Sequence, residues 1–305
     1  MKIHILGAGA GGGFPQWNCA CRNCRGVRDG SVKATARTQS SIAVSPDGTD
    51  WILVNASPDI LQQLRTFPAA WPGPELRGSG LKSIVLVDGQ IDHTTGLYML
   101  REHNRRWPVW ATGPVYEDLT RGNPILGLLE HYCGVDWQTL PFDSRPFAPQ
   151  GSGRLAWHAL PLSSAAPPYS PHRNAPTAGD NIGLTVIDPD SGGRLFYAPG
   201  LAEISPAVRA EMEAADCVLV DGTFWTDDEM IRLGFSTKLG SEIGHLAQSG
   251  PDGMIEQLNR LPRRNRRILI HINNTNPILD EASPERALLD AAGIEVAYDG
   301  MEITL

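Results

Sequence analysis

Three cysteines within six residues are the first group in this sequence that could do chemistry. Cys19, Cys21 and Cys24 have the spacing C-x-C-x-x-C, and three thiolates on one tight loop suit tetrahedral zinc. They lie too close together for a disulfide framework, and in a reducing compartment such a cluster favours a metal. Because this zinc takes four ligands, a residue distant in the sequence must complete the site. With no ligand position left open, the predicted zinc is structural.

A glycine-rich turn precedes these cysteines and imitates a dinucleotide-binding loop. Gly7, Gly9 and Gly12 fit the spacing G-x-G-x-x-G. A true nucleotide loop also needs a helix that starts at the third glycine and an acidic residue that closes a second strand roughly 20 residues later. The residues after Gly12 have no helical pattern, and residues 25–37 do not resemble a parallel strand. The glycines therefore predict a turn that allows close backbone approach.

A second chemical cluster follows the apolar run 83–87, which is typical of a buried strand. Four polar side chains come directly after it, namely Asp88, Gln90, Asp92 and His93. His271 ends another apolar run. Strand ends are where α/β proteins build sites, so we expect a site here. For an Asp-His pair alone, the alternative is a surface loop with a helix cap.

The elements that must position these residues form two similar series. Each half of the chain has strands first and then alternating strands and helices. Strands are predicted at 2–6, 41–44, 51–54, 83–87, 108–111, 155–160, 182–187, 195–197, 217–220, 268–271 and 294–298. Helices are predicted to begin at the Ser-Pro pairs of Ser57, Ser205 and Ser283, because serine caps a helix and proline suits its first position. The stretch 161–181 predicts a mobile surface loop.

Bulk composition excludes several classes of protein. The 305 residues are enough for a sizeable core, and the net charge of −8 argues against a general nucleic-acid binder. No apolar run reaches the roughly 20 residues that span a bilayer, and the apolar start is too short for a secretory signal. We therefore expect a cytoplasmic protein. Cys133 and Cys217 stand alone and are expected to be buried free thiols.

The order of elements and the polar cluster resemble the metallo-β-lactamase fold. The signature H-x-H-x-D-H of that fold aligns with Asp88-x-Gln90-x-Asp92-His93, and its final metal-binding histidine aligns with His271. The resemblance implies an α/β fold: a single αββα sandwich over residues 1–305, with two facing mixed sheets and helices outside.

Longer stretches are similar to the pyrroloquinoline quinone (PQQ) biosynthesis protein B family. They run from residue 11 to residue 277 and so cover essentially the whole chain. The matching stretches are 11–19, 37–41, 55–60, 90–94 and 271–277.

The departures from the parent fold bear on mechanism. Hydrolytic members usually hold two metals, but here Asp88 and Gln90 replace the first two histidines of the signature. Ser163 or Ser164 falls near the place of a later histidine, for which His158 comes somewhat too early. Gly200 stands at the place of the bridging aspartate in this alignment. A two-zinc hydrolase is therefore disfavoured. Asp92, His93 and His271 remain, and two histidines with one carboxylate are the ligands of non-haem Fe(II) oxygenases.

The resemblance also implies a function, cofactors and partners. It implies iron-dependent hydroxylation of the tyrosine ring of a cross-linked Glu-Tyr precursor, with Asp88 and Gln90 beside the metal or as weak ligands. The alternative is a carrier that takes PQQ or its precursor towards the periplasm without turnover. The implied partners are this precursor, PQQ and other pathway proteins, and a homodimer is also expected.

The cysteine site of the resembled family would hold structural zinc. In related members of the fold, the fourth ligand is a histidine three residues after the final active-site histidine. That position is Asn274 here. Asn274, Asn276 or a solvent molecule could complete the site. His245 is a further candidate, either beside the metal ligands or facing the substrate.

Overall fold

The computed structural model describes residues 1–142 and 145–305. The chain divides into two compact units, and its strands belong to two mixed sheets that contain seven and six of the described strands. The first unit comprises Met1–Leu6, Ser41–Arg194 and Gly300–Leu305, and the second comprises Gly7–Ser40 and Leu195–Asp299. Within the described ranges, no helix combines the length and the apolar content needed to cross a bilayer.

The elements are numbered in chain order. The strands are β1 Lys2–Gly7, β2 Ser41–Ser45, β3 Trp51–Val54, β4 Leu81–Val85, β5 Trp107–Ala111, β6 Val135–Thr139, β7 Ala156–Pro161, β8 Ile182–Ile187, β9 Arg194–Ala198, β10 Cys217–Asp221, β11 Arg266–Ile270, β12 Glu295–Val296 and β13 Glu302–Thr304. The α-helices are α1 Arg22–Asp29, α2 Ile60–Arg65, α3 Ile91–Thr94, α4 Gly96–Met99, α5 Gly113–Glu117, α6 Ile125–Leu129, α7 Pro206–Ala214, α8 Glu229–Arg232, α9 Met254–Asn259 and α10 Pro284–Ala292. Short 3-10 turns lie at Pro68–Ala70, Ser241–Ile243 and Pro277–Leu279, and a π-helical turn spans Asp118–Gly122.

The first unit contains the seven-stranded sheet, in the order β13-β1-β2-β3-β4-β5-β6. β2 and β3 are antiparallel, whereas β3 to β6 pair in parallel. The turn between β2 and β3 places Gly48 at φ 89°, and Asp47 Oδ1 accepts the Thr49 N–H at 2.7 Å. Both strands are buried throughout. Turn chemistry together with burial therefore produces the predicted hairpin.

The core of the first unit lies between this sheet and its helices. Leu53, Ile84, Leu97 and Leu119 are among its fully buried side chains. Because β4 is parallel and buried, its carboxyl end delivers the segment 86–93 directly to an edge of the sheet.

The second unit is built on four parallel strands in the order β12-β11-β10-β9. Their common direction places the carboxyl ends of β10 and β11 side by side, and Asp221 pairs in register with Ile270. The residue after Ile270 is His271, so these two strand ends bring an aspartate and a histidine to one edge.

Two of the three predicted Ser-Pro helix starts agree with the structure. Ser205 and Ser283 accept backbone N–H groups of α7 and α10, as serine caps do. The third is wrong, because α2 begins at Ile60 and Ser57 instead accepts the N–H of Asp59 at 3.2 Å. The first residue of a helix cannot be predicted from local propensity to better than about two residues.

Two further expectations need correction. The predicted final strand 294–298 shortens to β12, and the strand β13 follows it. The stretch 161–181 is not simply a surface loop, because Ala166 and Ser170 are buried. It is also tied to the end of β4: Ile182 N–H donates to the Val87 carbonyl at 2.9 Å, and Asp88 bridges to Asn181. Composition alone could not reveal these tertiary hydrogen bonds.

Candidate metal centres

In the first unit, the segment after β4 folds back on itself through Asp88. Oδ1 of Asp88 accepts the Gln90 N–H at 2.9 Å, and the Gln90 carbonyl then accepts the His93 N–H at 3.0 Å. A Cβ at position 89 would lie 2.6 Å from Asp118 Oδ2 and 3.1 Å from Asp118 Cβ, so any larger residue there would force Asp118 to shift. The Tyr169 hydroxyl donates to the Gly89 carbonyl. Contacts on several sides thus hold this loop in place.

His93 is a buried histidine whose orientation is set by Asp88. Its Nδ1 lies 2.8 Å from Oδ1 and 2.9 Å from Oδ2 of that carboxylate. Burial opposes the charged imidazole, but the negative charges of Asp88 and Asp92 and the hydrogen bond with Asp88 outweigh it and raise the pKa of His93 to about 9. A strongly negative environment of this kind favours a cation at His93, whether a proton or a metal ion.

In the second unit, the strand-end residues form a compact hydrogen-bond network. His271 has a left-handed backbone with φ 60°, a conformation that a non-glycine residue adopts only when its surroundings enforce it. Its Nδ1 lies 2.9 Å from the Thr223 hydroxyl, which lies 2.6 Å from Asp221 Oδ1. His245 Nδ1 lies 2.7 Å from Asp221 Oδ2.

The second unit also contains the cysteine cluster. Cys19, Cys21 and Cys24 place their sulfurs within 4.8 Å of one another, and the Sγ of Cys21 caps α1 by accepting the Cys24 N–H. Zn–S bonds of about 2.3 Å suit such a triangle. Burial raises the pKa of the Cys21 thiol to about 12, so a bound cation is needed to hold this sulfur as a thiolate at neutral pH. The donor set therefore fits zinc.

Asn274 approaches all three sulfurs. Its side-chain amide lies 3.2 Å from the Sγ of Cys19 and 3.3 Å from that of Cys24, and 3.7 Å from that of Cys21. Rotating the amide by half a turn exchanges Nδ2 and Oδ1, two atoms that crystallography at ordinary resolution barely distinguishes, and so presents an oxygen to the same point. Asn276 instead uses its side chain within the fold: it donates to the Gly222 carbonyl at 3.0 Å and accepts the Ile278 N–H at 3.1 Å.

Similar proteins identify the family. A family model described as the beta-lactamase superfamily domain matches residues 50–272. The chain is 60% identical to coenzyme PQQ synthesis protein B of Azoarcus sp. over 305 residues, covering 100% of both chains. It is 58% identical to the protein of that name from Methylococcus capsulatus, again covering 100% of both.

The chain belongs to the coenzyme PQQ synthesis protein B family.

Membership of this family confirms the predicted fold and, at the level of the pathway, the predicted role in PQQ synthesis. The crystal structure of Zn²⁺-bound PqqB from Methylobacterium extorquens superimposes with a TM-score of 0.90 at 36% identity and covers 100% of both chains. A diphosphatase of the PhnP family reaches a TM-score of 0.68 at 18% identity and covers 100% of this chain and 97% of its own. At that identity, the second similarity concerns the fold alone.

The structure distributes the predicted site residues of this PQQ synthesis family member over both units. Asp88, Gln90, Asp92 and His93 lie in the first unit, and His271 lies in the second together with the cysteines and Asn274. Sequence reasoning missed two residues of the hydrogen-bond network at His271, namely Asp221 and Thr223. The available signal was their position directly at the end of a buried strand, the same signal that pointed to Asp88 and His271.

Proposed function

We propose that this protein hydroxylates the tyrosine-derived ring of a peptide-derived Glu-Tyr precursor during PQQ synthesis. In this proposal Asp92, His93 and His271 hold Fe(II), and Asp88 and Gln90 lie beside the metal as orienting or weak ligands. Family membership supports the pathway. The chemistry of the donor set, two imidazoles and one carboxylate, supports the choice of iron over a two-zinc hydrolytic centre.

The observation that carries the proposal is the occupation of Nδ1 in both histidines. His93 Nδ1 is engaged by Asp88 at 2.8 Å, and His271 Nδ1 is engaged by Thr223 at 2.9 Å. Metal-binding histidines almost always use one ring nitrogen for the metal and the other for such a hydrogen bond. A histidine that served only to stabilise the core would not require this partition in both positions.

The remaining steps concern the side chains of the protein. Bound Fe(II) would supply the activation of O₂, and the net reaction inserts one oxygen atom into the ring and reduces the other to water with two electrons and two protons. Asp88 orients His93, and Asp92 contributes negative charge. Three protein ligands leave positions for O₂ and for the phenol of the substrate.

We further propose that Cys19, Cys21, Cys24 and Asn274 hold a structural Zn²⁺. This metal would join the glycine-rich turn to the segment that contains His271. The likeness to the zinc-bound PqqB supports the presence of zinc in a protein of this family. The substrate partner is the precursor peptide, and exchange of intermediates with other PQQ pathway proteins follows from such a role. The homodimer stays a prediction, and size-exclusion chromatography of the purified protein would test it.

The test is a single-turnover hydroxylation assay. The purified protein is loaded with Fe(II) without air, a diglutamyl-tyrosine-type substrate and ascorbate are added, and O₂ is admitted while the substrate mass is followed. The expected result is a gain of oxygen on the ring. His93→Ala and His271→Ala should lose it, and His131→Ala, which removes an exposed histidine, should retain it.

Two results would contradict the proposal. An unchanged rate in His271→Ala would remove that residue from the metal centre. No mass gain in the wild-type protein, combined with tight stoichiometric binding of PQQ, would establish the carrier alternative instead.

A further inference from the structure

We infer that Thr223 is a positioning residue that holds His271 in a single tautomer, with the proton on Nδ1 and the lone pair on Nε2. The inference rests on the proposed function in one respect only, the assignment of His271 as a metal ligand. The hydrogen-bond relay that supports it lies wholly within the second unit.

The relay begins at Asp221, a fully buried carboxylate that four donors surround. Oδ1 accepts the Thr223 N–H at 2.9 Å and the Thr223 hydroxyl at 2.6 Å. Oδ2 accepts the Leu201 N–H at 2.9 Å and lies 2.7 Å from His245 Nδ1. Each of the two carboxylate oxygens accepts a backbone N–H, so both act as acceptors towards the side chains as well. Asp221 therefore requires a proton on His245 Nδ1 and takes the hydroxyl proton of Thr223.

The direction of the next hydrogen bond follows from counting protons. A threonine hydroxyl has one proton and two lone pairs. The carbonyl of His271 competes for that proton at 2.9 Å, but Asp221 Oδ1 is 0.3 Å closer and makes the stronger, charge-assisted bond. With its proton committed to Asp221, the hydroxyl keeps two lone pairs. One accepts from His271 Nδ1 at 2.9 Å, and the other faces His245 Nδ1 at 3.0 Å, which also acts as a donor. His271 is thereby protonated at Nδ1.

The same hydrogen bonds argue against a second metal at this place. Asp221, His245 and His271 could offer ligand atoms within 4.8 Å of one another. However, both oxygens of Asp221 and both Nδ1 atoms already take part in the relay. The aromatic rings of His245 and His271 also stack, with centroids 5.2 Å apart and planes at 20°. His245 thus supports the ring of His271 laterally.

The backbone keeps Thr223 and His271 in register. The Asn273 N–H donates to the Thr223 carbonyl at 3.1 Å, and the Gly222 N–H donates to the Ile270 carbonyl at 2.7 Å. Asn276 Nδ2 also donates to the Thr223 carbonyl at 3.1 Å. These bonds hold the hydroxyl opposite Nδ1, so the tautomer is preset before any metal arrives.

The experiment compares Thr223→Val, which removes the hydroxyl at similar volume, with Thr223→Ser, which retains it. Thr66→Val is the matched control, since the Thr66 hydroxyl donates to the carbonyl of Gln63 at 3.0 Å, a local bond within the first unit. The first measurement is ¹⁵N NMR of the histidine side chains in metal-free protein, which distinguishes the two tautomers. The second is Fe(II) or Zn²⁺ affinity at the non-cysteine site, measured by competition with a chelator.

We expect the Nδ1–H tautomer for His271 in the wild-type protein and in Thr223→Ser, and loss of this preference in Thr223→Val. Metal affinity should fall about 10- to 100-fold in Thr223→Val and recover in Thr223→Ser. An Nε2–H tautomer in the wild-type protein would overturn the inference even if no variant folds. Unchanged affinity in a folded Thr223→Val would also overturn it. If the tautomer is as expected but the wild-type protein binds no metal outside the cysteine site, the proposed function fails and the relay stands.

Discussion

The imidazole of His93 faces both carboxylate oxygens of Asp88, at 2.8 and 2.9 Å from Nδ1. Asp88 aligns with the first histidine in the signature of the parent fold. In hydrolytic members that histidine binds a second metal, whereas Asp88 contacts the imidazole of His93 and orients it. This pair supports the proposal that the centre departs from the two-metal arrangement.

Asp88→Asn should weaken metal binding at the proposed iron site while leaving the zinc of the cysteine site in place. An amide cannot accept through both of its polar atoms, so the orientation and tautomer of His93 would no longer be enforced. We expect about 10- to 100-fold lower affinity, measured as metal content after dialysis against graded chelator. Asp50→Asn, at a partly exposed position, is the control. Equal retention of both metals in Asp88→Asn would contradict the orienting role.

Cys21→Ser should remove one equivalent of zinc and lower the thermal stability of the protein. Serine can replace Cys21 as the N-cap of α1 but cannot replace it as a thiolate ligand, so the variant isolates the contribution of the metal. We expect the Tm to fall by roughly 5–10 °C, measured by calorimetry alongside metal analysis. Cys133→Ser, which changes a half-buried lone thiol, should keep the zinc. Full zinc content in Cys21→Ser would show that the metal binds elsewhere.

Asn274→Ala should make the zinc easier to extract, whereas Asn274→His should make it harder. Alanine leaves three sulfurs and solvent, and histidine supplies a stronger nitrogen ligand at a position where related members of the fold have one. Release rates in the presence of a chelator should differ by about 10-fold in each direction. Identical rates in the wild-type protein and Asn274→Ala would exclude Asn274 as a ligand.

Asp118→Asn should change how stability depends on pH. Burial raises the pKa of Asp118 to about 6, against the influence of the Ser170 hydroxyl, and the nearby Asp180 adds to the rise. The unfolded value is about 3.9, so between these values the folded state binds more protons and wild-type stability declines as pH rises.

The asparagine variant lacks this decline. Its free energy of unfolding relative to the wild-type protein should increase by roughly 1–3 kcal/mol between pH 4 and pH 7, measured by urea denaturation at each pH. Asp290→Asn, at an exposed position, should show a smaller change. A constant difference between Asp118→Asn and the wild-type protein would show that Asp118 titrates normally.

The residues alone were enough to predict much of this protein. The apolar runs and the turn residues beside them predicted β2, β3, β10 and β11. Runs of buried β-branched side chains separated by turn residues depend on neighbouring positions in the chain, so the sequence shows them directly. The C-x-C-x-x-C spacing predicted a sulfur cluster for a similar reason: side chains two and three residues apart on one tight loop lie close together in space. The family followed from long stretches of specific residues.

Side-chain partners over long sequence separations required the tertiary structure. Asn274 and Asn276 are indistinguishable as amides two residues apart, yet only the first faces the sulfurs, because the second is engaged with Gly222 and Ile278. Likewise, Thr223 meets His271 only because β10 and β11 lie side by side in parallel. The direction of the hydrogen bond between Thr223 and His271 depends on differences of tenths of an ångström, and the two residues are 48 positions apart in the chain. Such distances cannot be predicted from the pattern of residue types.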